Sequence, residues 1–275
     1  MGGGALSQPQ TLEQRATGVR DVSVLVACGL VREAAIIARP GFVVVAGGGD
    51  SARLERELEV AVAGASMVLS CGVAGALDPA LRAGDVVVGV LAPNSFPGEG
   101  RGPVEEQKSL SRGAQLQPPS RLGPGLRRGS GVGGALVEWL AKNLPGAHRG
   151  TVVGADSIIG SVAEKTALYA ATGAIAVDME SHIAARVAAR HDLPFAIVRT
   201  ISDTVDHALP PAALVGMKPD GGVALGAILA SLARNPAQLP ALIRTGRDAG
   251  AAFKALARAM ETLDAGGLAK LDPTP

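Results

Sequence analysis

At 275 residues with 47% hydrophobic content, the chain is long enough to bury a sizeable core, and one compact domain is the expectation. Its 26 basic residues against 25 acidic ones leave a formal charge of +1, which excludes the global fields that draw proteins to nucleic acid or to anionic membranes. Two cysteines, Cys28 and Cys71, exclude a disulfide framework; both fall in apolar runs and fit buried free thiols in a reducing cytoplasm.

Residues 1–20 are rich in Gly, Gln and Thr, lack a basic head and an apolar core, and read as a disordered leader. A strand is predicted over Asp21–Ala27 and a helix over Val31–Ala38, then a strand over Phe42–Ala46, the Gly47-Gly48-Gly49 turn, and a helix capped by Asp50 or Ser51 and running to Ala63. Val60 to Leu77 is uncharged and as long as a minimal bilayer span of roughly 18 residues. Its Ala, Gly and Ser content reads instead as a helix end, a buried strand Ser66–Cys71 and a glycine loop from Gly72 to Pro79. A strand over Asp85–Val90 follows.

Ala92 to Gly131 breaks the pattern with six prolines, many glycines and five arginines, a composition that cannot bury a core. It reads as a long irregular loop, either solvated and inert or, through its arginines, an anion site. Beyond it come a strand Thr151–Val153, a helix Ser161–Ala171, a strand Ala174–Val177, a helix Ser181–His191 and a strand Phe195–Ile201. Val223 to Leu263 holds two helices with Pro236 and Pro240 between them. Alternating strands and helices make an α/β domain over residues 21–265, with a tail over 266–275.

Two acids fall just beyond buried strands. Parallel sheets bind ligands at the carboxyl ends of their strands, where Glu180 and Asp203 stand. Breaking a ribosyl C1′–N bond puts positive charge on the sugar and negative charge on the departing base. Glu180 could accept hydrogen bonds from ribose hydroxyls and oppose the developing cation; Asp203 could protonate purine N7 if an apolar setting holds its proton. Glu33, at the start of the first helix, is a candidate base for a water. Taken singly, each acid is as readily a helix-start or turn carboxylate. The four histidines are dispersed without ligand spacing, and Gly47-Gly48-Gly49 lacks the GxGxxG pattern.

Cys71-Gly72-Val73-Ala74-Gly75-Ala76-Leu77, Leu81-Arg82-Ala83-Gly84-Asp85-Val86-Val87-Val88, Val177-Asp178-Met179-Glu180 and Val198-Arg199-Thr200-Ile201-Ser202-Asp203 together resemble the purine nucleoside phosphorylase and methylthioadenosine nucleosidase superfamily. The resemblance implies a three-layer α/β/α fold around a mixed, mostly parallel sheet. By it, Met179 and Glu180 bind ribose, Asp203 is the general acid with Ser202 beside it, and Gly75 and Ser157 border the base, Ser157 standing near where nucleosidases stack an aromatic ring. Glu33 matches the nucleosidases' water-activating glutamate. Phosphorylases carry a phosphate-binding arginine there and a serine at the position of Val73, so the adjacent Arg32 is the phosphate candidate.

A narrower resemblance, to the hopanoid-associated phosphorylases, covers Asp178 to Ala188, Ala208 to Leu214, Pro219-Asp220-Gly221 and Pro236 to Leu242. It implies cleavage of adenosylhopane to adenine and ribosyl- or phosphoribosylhopane in hopanoid biosynthesis. The implied partners are a small-molecule nucleoside, lipid-linked, and a membrane touched peripherally without a transmembrane segment; nucleic acid is not among them. A homo-oligomer is implied, and no metal or organic cofactor, only water or inorganic phosphate as co-substrate. Two alternatives stand beside this: a methylthioadenosine or adenosylhomocysteine nucleosidase, and a catalytically impaired nucleoside-binding relative.

Overall fold

The computed structural model describes residues 23–93, 132–216, 222 and 224–271. The leader expected over 1–20 and nearly all of the irregular loop expected over 92–131 lie outside the described residues. Within them the chain runs β1 (Ser23–Cys28), α1 (Val31–Ile37), β2 (Phe42–Ala46), α2 (Ser51–Ala61), β3 (Ala65–Ala76), β4 (Val86–Leu91), α3 (Val132–Asn143), β5 (His148–Gly154), α4 (Val162–Thr172), β6 (Ala176–Asp178), α5 (Ser181–Arg190), β7 (Phe195–Asp203), α6 (Pro211–Leu214), α7 (Leu225–Arg234) and α8 (Leu239–Ala265).

The strands form one sheet in the order β2-β1-β3-β6-β5-β4-β7, and β3 also pairs with β7, so the last five close into a ring. Pairing is parallel except for β3 with β6 and β4 with β7, which makes the sheet mixed and mostly parallel as expected. Alternate side chains leave opposite faces of each strand. Val24, Val26, Met67 and Leu69 pack with α1, α3 and α8 on one face. Leu25, Ala27 and Val68 pack with α2 and α5 on the other. Ala74, Ala76, Val87, Val152, Ile197 and Ile201 form a separate cluster from strands of the ring.

The glycine loop expected from Gly72 is a strand as far as Ala76. Gly72 pairs with Arg199 and Gly75 with Asp203 across β7. These glycines leave room for neighbouring charges instead of turning the chain. A Cβ on Gly72 would stand 2.7 Å from Glu33 Oε1 and 2.8 Å from Arg199 Nη1. Helix α3, which the sequence reading passed over, buries Leu136 and Leu140 in the core. Pro240 lies in the first turn of α8, not between helices, and Pro236 opens a short 3₁₀ turn ahead of it. Packed chain continues past residue 265, with Leu268 fully buried. Cys28 and Cys71 are buried free thiols. No helix among the described residues is long and apolar enough to cross a membrane.

Candidate active site

The carboxyl ends of β1, β3, β6 and β7 converge on one cavity of about 180 Å³. Its wall takes Gly29, Leu30 and Glu33 from the β1–α1 junction, Val73 to Gly75 from β3, Ser157 to Ile159 from the β5–α4 loop, Val177 to Glu180, Ser202, Asp203 and Leu209.

Glu33 is in the first turn of α1, where a carboxylate suits the helix dipole, and its side chain folds back over the turn. Oε2 accepts from the backbone N–H of Gly29 at 2.8 Å and of Leu30 at 2.7 Å, and Oε1 accepts from Val73 N–H at 2.7 Å. A carboxylate has about four acceptor positions, so one remains for a water in the cavity. Burial pushes this carboxyl's pKa up, against the Arg199 charge and the three N–H donors. That direction suits a group that must take a proton.

Arg199 was not singled out from the sequence, although a charge within the apolar run of β7 signalled it. It is fully buried. Nη2 donates to Ser70 Oγ at 2.6 Å and lies 3.2 Å from Glu180 Oε2, while Nε lies 2.7 Å from Asp178 Oδ2, off the N–H axis. Asp178 Oδ1 accepts from the backbone N–H of Glu180 at 3.1 Å and of Ser181 at 2.8 Å, and its Oδ2 accepts from Ser181 Oγ. Asp178 thus caps α5 and ties it to β7, which aims Glu180 at the cavity. Burial, with the charges of Asp178 and Glu33 and against Arg199, pushes the Glu180 carboxyl up to about 7.

Asp203 ends β7. Its Oδ1 accepts from Ser202 Oγ at 2.9 Å, and its Oδ2 lies 2.5 Å from Lys165 Nζ. The apolar setting expected around Asp203 is therefore a charged one. Lys165, fully buried on α4, is a second residue that sequence reasoning missed.

Glu33, Gly75, Ser157, Met179, Glu180, Ser202 and Asp203 all line the cavity. Arg32 does not: its guanidinium stacks on the ring of Phe253 in α8, 4.2 Å from the centroid. Ser157 has Ile158 and Ile159 beside it, so the cavity wall there is aliphatic where the family resemblance implied an aromatic ring. Four carboxylates, Glu33, Asp178, Glu180 and Asp203, and no cation stand in the lining among the described residues.

Carboxylates from three strand ends meet in one small cavity, which suits cleavage of the N-glycosidic bond of nucleosides, the class of enzyme to which the family match assigns the chain. Residues 19–218 match the model of the phosphorylase superfamily, and the chain belongs to that superfamily. No curated protein matches it in sequence. Among solved structures it is similar to the S-adenosylhomocysteine nucleosidase of Streptococcus pyogenes in complex with 5-methylthiotubericidin, with TM-score 0.54 and 17% identity over 92% of this chain and 99% of that one. Futalosine hydrolase of Helicobacter pylori gives 0.53 and 15% over 90% and 98%, and the 5′-methylthioadenosine/S-adenosylhomocysteine nucleosidase of Neisseria meningitidis gives 0.53 and 18% over 88% and 99%. At these identities the likeness is one of fold.

Proposed function

We propose that the protein hydrolyses the N-glycosidic bond of an adenine nucleoside. Glu33 takes a proton from the attacking water, Met179 and Glu180 hold the ribose, and Asp203 with Ser202 engages the purine. The observation that carries water over phosphate is the cavity wall, with four carboxylates and no cation among its described residues. Arg199 and Lys165 offset part of that charge from behind the wall, but a phosphate dianion would still meet the carboxylates first, whereas a neutral water meets a poised acceptor. As the C1′–N9 bond opens, Glu180 opposes the cationic sugar and the C1′–O bond forms to the water.

Adenine is favoured by Asp203. Paired with Lys165, its carboxylate accepts hydrogen bonds, which suits a 6-amino group and repels the carbonyl of a 6-oxopurine. An apolar 5′ substituent is supported by Leu209 at the cavity wall and by Leu214 packed against the same Gly160 turn. Together with the resemblance of Asp178 to Ala188 and Pro236 to Leu242, this makes adenosylhopane the proposed substrate, giving adenine and ribosylhopane.

Adenine release from adenosylhopane and from methylthioadenosine, each with and without inorganic phosphate, tests the reading. Preference for methylthioadenosine transfers the protein to the smaller-substrate reading, strict phosphate dependence refutes the water mechanism, and no turnover of either leaves a binding relative.

A further inference from the structure

Lys165 enters the reading above only as the partner that keeps Asp203 ionised, yet it is buried with every donor engaged. Its Nζ lies 2.5 Å from Asp203 Oδ2 and donates to the carbonyl oxygens of Thr204 at 2.9 Å and His207 at 3.2 Å. Three acceptors match the three donors of an ammonium; a neutral amine would turn its lone pair toward one of them. Opposite an ammonium, Asp203 rests as a carboxylate and has no proton of its own for a departing base. Its Oδ2 is also the oxygen nearer Gly75, 3.0 Å from where a Cβ on that glycine would stand, so one atom serves both the lysine and the cavity.

We propose that Lys165 supplies the proton that the leaving purine takes, acting through Asp203. As the C1′–N9 electron pair moves onto the base, Asp203 Oδ2 takes a proton from Lys165 Nζ and hands that proton on to N7. The ammonium becomes an amine and Asp203 is again a carboxylate. On the other side of the sugar the water's proton goes to Glu33. The cycle closes when Glu33 releases that proton to solvent and Lys165 takes one up. Lys165 touches no substrate and is a positioning residue for the proton. The other titratable groups near it are Asp206 and His207, paired with each other at 3.3 Å, and Glu164 and Tyr169 on its own helix; Glu164 is engaged by Ser161.

The inference rests on the proposed N-glycosidic cleavage, and the test separates the two. Matched substrates carry the same 5′ group and either adenine or p-nitrophenolate, a leaving group that needs no proton. With Lys165→Met, kcat for the adenine nucleoside should fall by about 100-fold or more while that for the nitrophenyl riboside stays within about threefold. Equal losses on both substrates, or none with adenine, overturn the proposal. Should the variant not fold, Lys165→Arg keeps a cation beside Asp203 that gives up no proton: kcat for adenine release should fall by about tenfold or more while nitrophenolate release stays within about threefold. Equal effects of Lys165→Arg on both substrates contradict the proposal. If the native protein cleaves neither substrate, the functional reading fails and this inference with it.

Discussion

Arg199 and Asp178 face each other with side chains 0% and 1% exposed, Nε 2.7 Å from Oδ2. The pair joins β7 to the start of α5, and Glu180 hangs from the same junction. Removing one member of a buried pair leaves the other charge without compensation. Arg199→Met should therefore lower the unfolding free energy by about 3–5 kcal/mol, read from the urea midpoint at constant m value.

Glu33→Gln keeps the volume but removes the proposed base. It should lower kcat by about 100- to 10,000-fold with a small change in KM. Its amide NH₂ would face one of the backbone N–H groups of Gly29, Leu30 or Val73, so a loss of about 1–3 kcal/mol in stability should accompany the kinetic effect. Steady-state kinetics and thermal unfolding of the one variant check both.

Glu180 makes stability and activity respond to pH in opposite directions. Its pKa is raised from 4.5 to about 7. Between those values the folded protein holds a proton that the unfolded chain has released. The stabilisation is thus fully present below about 4.5 and is lost as pH rises through about 7. An ionised carboxylate accepts ribose hydroxyls more strongly than the neutral acid does, so kcat/KM should rise across the same range. Glu180→Gln should flatten the stability slope and remove the rise; unfolding curves and initial rates at stepped pH test it.

Gly29 has Glu180 on one side and Glu33 on the other. A Cβ there would stand 2.6 Å from Glu180 Oε1 and 3.5 Å from Glu33 Oε2, so Gly29→Ala must displace Glu180, the proposed ribose ligand, first. KM for the nucleoside should rise by about tenfold, the effect of about 1.4 kcal/mol of lost binding. An unchanged KM would remove Glu180 from the ribose site.

Much of the fold was legible because apolar runs and glycine turns mark buried strands in order, and the carboxylates after β6 and β7 followed from strand ends alone. Ring closure was not legible, since pairing of β3 with both β6 and β7 depends on strand bending that no local pattern records. The glycines of β3 were read as a turn because glycine favours both turns and close approach, and only the buried Glu33 and Arg199 beside Gly72 separate the two. Leu136 and Leu140 carry the helical period of α3, but the element is short and follows directly on a proline-rich stretch with no such period. Lys165 gave no local signal. Its significance lies in meeting Asp203 from a different element, and that meeting changes Asp203 from a presumed acid into an ion-paired carboxylate.

Water is the proposed nucleophile and Glu33 its proposed base. A single turnover in heavy-oxygen water with inorganic phosphate also present tests this most directly, with the sugar product analysed by mass spectrometry. Free reducing sugar carrying the heavy label at C1 is the predicted product. A sugar 1-phosphate without the label would contradict the account.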